Sequence, residues 1–139
     1  MRIVLDTNVL VSGLLVAGSI PNRCVDLAAE GHVGWLVDQR IVAEYRRVLH
    51  YPELGLELAA VDELLGKIQK YAEWITAEPL SLRIPDESDL PFIEVAATGG
   101  ADALVTGNAR HFQVKEGRLA IPVVSPRQFL DLLGGRAGL

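Results

Sequence analysis

Cysteine is nearly absent from this chain: Cys24 is the single one among 139 residues. That excludes an internal disulfide framework and any zinc site assembled from several thiolates. Cys24 falls in an apolar-periodic stretch and reads as a small core residue. Histidine is scarce too, and the three present lack the spacing of a catalytic or zinc constellation, so none is given a chemical role. No segment is long and apolar enough to span a bilayer. The first apolar run has no basic region before it and is broken by Asp6-Thr7-Asn8, which is not a signal-peptide pattern. A soluble protein in the reducing cytoplasm is the expectation. Basic residues are the minority, thirteen against eighteen acidic, for a net charge of −5. A protein that grips nucleic acid by bulk electrostatics normally carries a basic face. The deficit leaves open an enzyme whose acids are concentrated in one cation-binding cleft.

Half the residues are hydrophobic and 22% are charged, which excludes disorder and gives enough apolar material for one core. No repeat, low-complexity tract or linker divides the chain, so residues 1–139 read as a single domain. Apolar runs alternate with helical patterns, the signature of βαβ units around a mostly parallel sheet. Strands are expected at 2–6, 34–37, 73–76, 103–106 and 121–124. Pro122 restricts the last of these to an edge or a first position. Helices are expected from near Asn8, ending by Gly18, from Ser19-Pro21 to about Glu30, and from Gln39, capped by Asp38, to about His50. Further helices are expected at 58–71, at 89–98, and from Ser125-Pro126 onward. The tail 134–139 looks frayed.

Four polar features stand out against this framework. Asp6 ends the apolar run Ile3-Val4-Leu5, and in open α/β sheets ligands gather outside the carboxyl ends of such strands. A plain helix-capping aspartate is the competing reading. Glu44 lies beside the apolar stripe of Ile41, Tyr45 and Val48, where a carboxylate needs a partner or a metal. A salt bridge to Arg47 or Arg40 is the ordinary explanation. Asp86, Glu87 and Asp89 place three acids in four positions before a helix, which exceeds what capping requires. Thr106-Gly107-Asn108 follows a strand as Asp6 does, although Gly107-Asn108 is also a common turn pair. Strand ends and helix starts share one edge of a parallel sheet, so these groups can converge there. Like charges gathered so closely are unstable without cations, and oxygen ligands without thiolates point to Mg²⁺ or Mn²⁺. Carboxylate-held Mg²⁺ suggests metal-assisted phosphodiester hydrolysis.

The ordered set resembles the PIN domain, a ribonuclease fold common in the VapC-like toxins of toxin–antitoxin pairs. Asp6-Thr7-Asn8-Val9-Leu10 is similar to the opening motif, and Val42 to Leu49 to the second, which carries Glu44. Residues 86–96 and 101–108 are similar to the third motif and to the strand bearing the fourth position. Residues 121–129 resemble the usual ending. The resemblance implies a three-layer α/β/α sandwich and a Mg²⁺- or Mn²⁺-dependent endoribonuclease acting on RNA. It also implies a homodimer and a partner antitoxin that covers the site. Carried over by position, Asp6, Glu44 and Asp89 are metal ligands. Asp86 is a ligand or a support, and Asn108 completes or orients the site. Thr106 orients the substrate phosphate or an attacking water, while Thr7 and Asn8 hold the loop. Glu87 and Ser88 stand where the family often has Asp, and Asn108 stands where Asp is frequent. Arg46, Arg47, Arg110 and His111 are candidate phosphate contacts, each of which reads more readily as an ordinary surface residue.

Two alternatives remain at this point. A degenerate PIN domain acting as an interaction module is favoured by Asn108 and the thinned third motif. A haloacid-dehalogenase-like phosphatase also uses an Asp after its first strand. It wants a second Asp two residues later, where this chain has Asn8.

Overall fold

The computed structural model describes residues 1–114 and 119–137. Among them, five strands form one parallel sheet in the order β3-β2-β1-β4-β5. The strands are β1 (Arg2–Leu5), β2 (Gly34–Val37), β3 (Glu73–Trp74), β4 (Ala103–Val105) and β5 (Val123–Val124). Six helices accompany them: α1 (Thr7–Leu15), α2 (Ile20–Ala29), α3 (Gln39–Leu49), α4 (Leu58–Tyr71), α5 (Leu90–Gly99) and α6 (Pro126–Ala137). The fold is a three-layer α/β/α sandwich, as the alternation of patterns required. No helix among the described residues is long and apolar enough to cross a membrane.

The central strands are apolar throughout because both of their faces are covered. Ile3, Val4, Leu5, Leu36, Val37, Ala103, Leu104 and Val105 are all buried. Helix α5 packs against β1, β2 and β4; α2 and α6 touch each other, α2 reaching β2 and α6 reaching β4 and β5. A row of tilted and edge-on rings, Trp35, Tyr45, Phe92 and Phe112, runs through the core. Cys24 lies in that core as expected, and burial pushes its thiol up to about 11.

The chain runs from β1 outward through β2 to β3, then returns to lay β4 on the other side of β1. Connections therefore diverge between β1 and β4, which creates a crevice at their carboxyl ends. The pairing Leu5↔Val105 continues as a hydrogen bond from the Asp6 N–H to the Val105 carbonyl, 2.9 Å. Asp6 and Thr106 are thus the first residues past the sheet on either side of the crevice.

Several boundaries differ from the sequence expectation. Strand β3 stops at Trp74, although the Ile75 N–H still reaches the Val37 carbonyl at 2.8 Å. Strand β5 is confined to Val123–Val124 at the sheet edge, and Pro122 contributes only its carbonyl, which accepts from the Leu104 N–H at 2.9 Å. Short 3-10 turns at Pro52–Leu54, Glu87–Asp89 and Ala109–Phe112 were not anticipated. Helix α6 continues through Gly134 and Gly135 to Ala137, so the expected fraying does not begin at Gly134. Phe129 anchors that helix, and each added residue then costs little. Residues 138–139 of the expected frayed tail lie outside the described residues.

Candidate active site

Asp6 answers both of its sequence readings at once. Its Oδ1 accepts from the Thr7 N–H at 2.8 Å, capping α1, while its Oδ2 accepts from Thr106 Oγ1 at 2.7 Å. The residue is 5% exposed. Burial raises its pKa, and the hydrogen bonds from Thr106 and Thr7 hold it down in part. Behind it, Tyr45 Oη donates to the Leu5 carbonyl and accepts from Trp35 Nε1, so a buried phenol fixes the end of β1.

Glu44 comes from α3, and its side chain is 18% exposed. Thr7 Oγ1 donates to Glu44 Oε2. The anticipated partner Arg47 stands off at 3.9 Å, and Arg40 instead binds Asp38 and Glu94. The expected salt bridge to Arg47 is thus present but long, and Thr7 is a second partner of Glu44. Thr7 connects the first acid to the second.

Capping divides the third cluster. Asp86 Oδ1 accepts from the Ser88 N–H and hydroxyl, at 3.0 and 2.7 Å, which lowers the Asp86 pKa. Asp89 stands at the start of α5 but accepts no capping hydrogen bond, so its carboxylate is left to face the crevice. Its pKa is pushed up to about 6, first by burial and then by the charges of Asp6, Asp86 and Glu44. Glu87 is not among the residues lining the crevice.

These acids share one open cleft of about 430 Å³. Asp6, Glu44, Asp86 and Asp89 supply its polar side, and Val11, Val48, Tyr51 and Leu54 its apolar side. Among the described residues, no three Asp, Glu, His or Cys side chains are drawn together closely enough to hold one ion. Mutual repulsion opposes such closeness until a cation neutralises it. The donor set itself, all carboxylate oxygen, suits a hard divalent cation.

Two candidates occupy different places from those expected. The Thr106 hydroxyl is buried and saturated: it donates to Asp6 and accepts from the Asn108 N–H at 3.0 Å and Asn8 Nδ2 at 3.5 Å. A hydroxyl has one proton and two acceptor sites, so Thr106 orients Asp6 rather than a phosphate or water. Asn108 is exposed, absent from the cleft lining, and holds His111 through Nδ2···Nε2 at 3.0 Å. Asn8 accepts from the Gly107 N–H at 3.0 Å, tying the first loop to the fourth. It thereby serves the loop and not the acid role a phosphatase requires.

One buried acid, Glu94, has no role in the sequence reading. Glu94, 6% exposed on α5, accepts from Arg40 Nη1 at 2.7 Å and from the Leu80 N–H at 2.8 Å. It braces a separate 490 Å³ pocket beside Trp74. His111 lines the acid cleft, with Nδ1 3.8 Å from Asp89 Oδ2. Of the four candidate phosphate contacts named from the sequence, it is the one that lines this cleft.

Comparison with known proteins agrees with the fold. A family model described as the PIN domain matches residues 2–110, spanning every candidate carboxylate and stopping just before His111. No curated protein gives a significant match. The chain is similar in fold to a crystal structure of VapBC2 from Rickettsia felis bound to a DNA fragment from their promoter. The TM-score is 0.56 at 15% identity, covering 90% of this chain and 98% of that chain.

Proposed function

This chain belongs to the PIN-domain family, whose members are nucleases, and on that premise we propose that it is a divalent-metal-dependent endoribonuclease. Asp6, Glu44 and Asp89, distant in sequence, face one cleft where the sheet connections diverge, and that observation carries the reading. The raised Asp89 pKa supports it, because a carboxylate made costly to ionise by burial, and further by its acidic neighbours, is relieved by a bound cation.

Asp6, Glu44 and Asp89 would hold Mg²⁺ or Mn²⁺, with Asp86 at the rim and Asn108 outside the ligand set as an orienting residue. The cation, when bound, supplies Lewis-acid stabilisation of charge on the phosphodiester. The chain's own contribution is preorganisation. Thr106 and the Thr7 N–H aim the two oxygens of Asp6, and the Thr7 hydroxyl fixes Glu44. Positions fixed in advance need no rearrangement as the transition state forms.

The test is cleavage of single-stranded RNA and DNA with Mg²⁺ or Mn²⁺. Asp6→Asn and Asp89→Asn should each lose at least about a hundredfold in RNA cleavage, as loss of a principal charge-stabilising group does. Undiminished cleavage in both variants would remove the mechanism. The likeness to VapBC2 supports a toxin role with an antitoxin as partner, and we add a second copy of this chain as the other partner. Co-purification with the product of an adjacent gene and sedimentation of the isolated chain check these two points. The buried single thiol suits the cytoplasm.

A second reading, a degenerate interaction module, is favoured by the ungathered acids and the neutral Asn108. Mn²⁺ separates the two. Binding to the native state alone raises the melting temperature, and no shift at millimolar Mn²⁺ favours the module.

A further inference from the structure

Among the described residues, His111 is the single basic side chain lining the acidic cleft. Its turn is anchored, because Phe112 is buried and meets Phe92 edge-on with centroids 6.4 Å apart. Its ring is held from behind by Asn108 Nδ2 at 3.0 Å from Nε2. With the amide NH₂ turned to the ring it donates to Nε2, and the neutral tautomer that matches this contact carries its proton on Nδ1. That atom lies on the side of Asp89, which also lines the cleft, and its 3.8 Å separation from Asp89 Oδ2 is too long to use the N–H in a hydrogen bond. An RNA strand brings a negative charge with every phosphate into a cleft walled by four carboxylates. A directed N–H donor on that wall is what such a strand requires.

We propose that His111 is a substrate contact, its Nδ1–H donating to a non-bridging phosphate oxygen of the entering RNA, with Asn108 as the residue that positions the ring. This rests on the ribonuclease reading above. It also gives the neutral residue at 108 a task. An Asp there would accept from Nε2–H, which moves the proton of the neutral ring away from the cleft.

Binding is measured without divalent cation, in the Asp6→Asn background, by anisotropy of a fluorescein-labelled single-stranded decaribonucleotide. His111→Ala should weaken the Kd by about tenfold. His111→Asn, whose amide nitrogen takes the place of Nδ1, should restore most of the affinity, and His111→Gln should not. Asn108→Ala should weaken binding by about threefold and leave the Mn²⁺-induced rise in melting temperature of the otherwise wild-type chain intact. Should His111→Ala fail to fold, the contrast between the Asn and Gln variants decides the matter. Unchanged RNA affinity in His111→Ala, while the wild type cleaves RNA, overturns this proposal alone. Loss of the Mn²⁺ shift in Asn108→Ala overturns it too, since Asn108 would then be a cation ligand. A wild type that neither cleaves RNA nor binds it in the Asp6→Asn form overturns both readings.

Discussion

Thr106 Oγ1 donates to Asp6 Oδ2 across 2.7 Å, joining residues one hundred positions apart at the ends of β4 and β1. Both residues are almost fully buried, at 1% and 5% exposed. Thr106→Val keeps the shape and removes the hydroxyl, leaving the Asp6 oxygen and the Asn108 N–H short of a partner. Unfolding by denaturant should show a loss of about 1–3 kcal/mol, the cost of a buried unsatisfied polar group. Thr106→Ser keeps the hydroxyl and should recover most of it. Equal stability in the Val variant and the wild type would deny the bond its role.

Tyr45 ties the far side of the same strand end. Its hydroxyl serves the Leu5 carbonyl and Trp35 Nε1, both inside the core. Tyr45→Phe should cost about 1–3 kcal/mol for the same reason. Cleavage should fall as well, because the backbone just before Asp6 loses its fixed position. Calorimetry combined with the cleavage assay checks the pair of outcomes; a variant destabilised but fully active would show that Tyr45 serves only the core.

Glu94 holds Arg40 and the Leu80 N–H from the middle of α5. Removing one partner of a buried pair strands the other, but Arg40 is half exposed and water recovers part of that loss. Glu94→Ala should therefore cost about 1–3 kcal/mol. The loosening should be local, seen as faster amide hydrogen exchange around Leu80, with RNA cleavage little changed. Protection at Leu80 equal to wild type would contradict the assignment.

Asp89 sets a dependence on pH. Its folded pKa, about 6, lies above the ordinary carboxyl value near 4. Between those values the folded chain binds more protons than the unfolded chain, so stability falls as pH rises. The raised pKa of Asp6 acts in the same direction. In EDTA, Asp89→Asn should gain stability over the wild type progressively from pH 4 to pH 6, and Mn²⁺ should offset the wild-type loss at the upper end. Melting curves across this range decide it: a difference between the two proteins that is flat with pH rules out the effect.

Much of this molecule was legible in the residue order. Ile3-Val4-Leu5 and Ala103-Leu104-Val105 announced strands covered on both faces, and Asp38 announced its cap on α3. Glu44 beside the stripe of Ile41, Tyr45 and Val48 announced a carboxylate near the core. Such signals are local: propensity, periodicity and capping act within a few residues. The roles of Thr106 and Asn108 were less legible. Each is set by a partner that only packing supplies, Asp6 for the first and the anchored ring of His111 for the second.

The amino-acid order by itself determined the alternation of strand and helix, the parallel sheet, and which acids sit at strand ends and helix starts. The tertiary structure alone decided which of those acids face one cleft. It also decided that Asp86 spends an oxygen on Ser88 while Asp89 keeps its own, and that a histidine stands among them. The physical reason is distance. Backbone preference acts over a few bonds, whereas hydrogen bonding and charge repulsion act between groups that only the closed sheet brings within ångströms of one another.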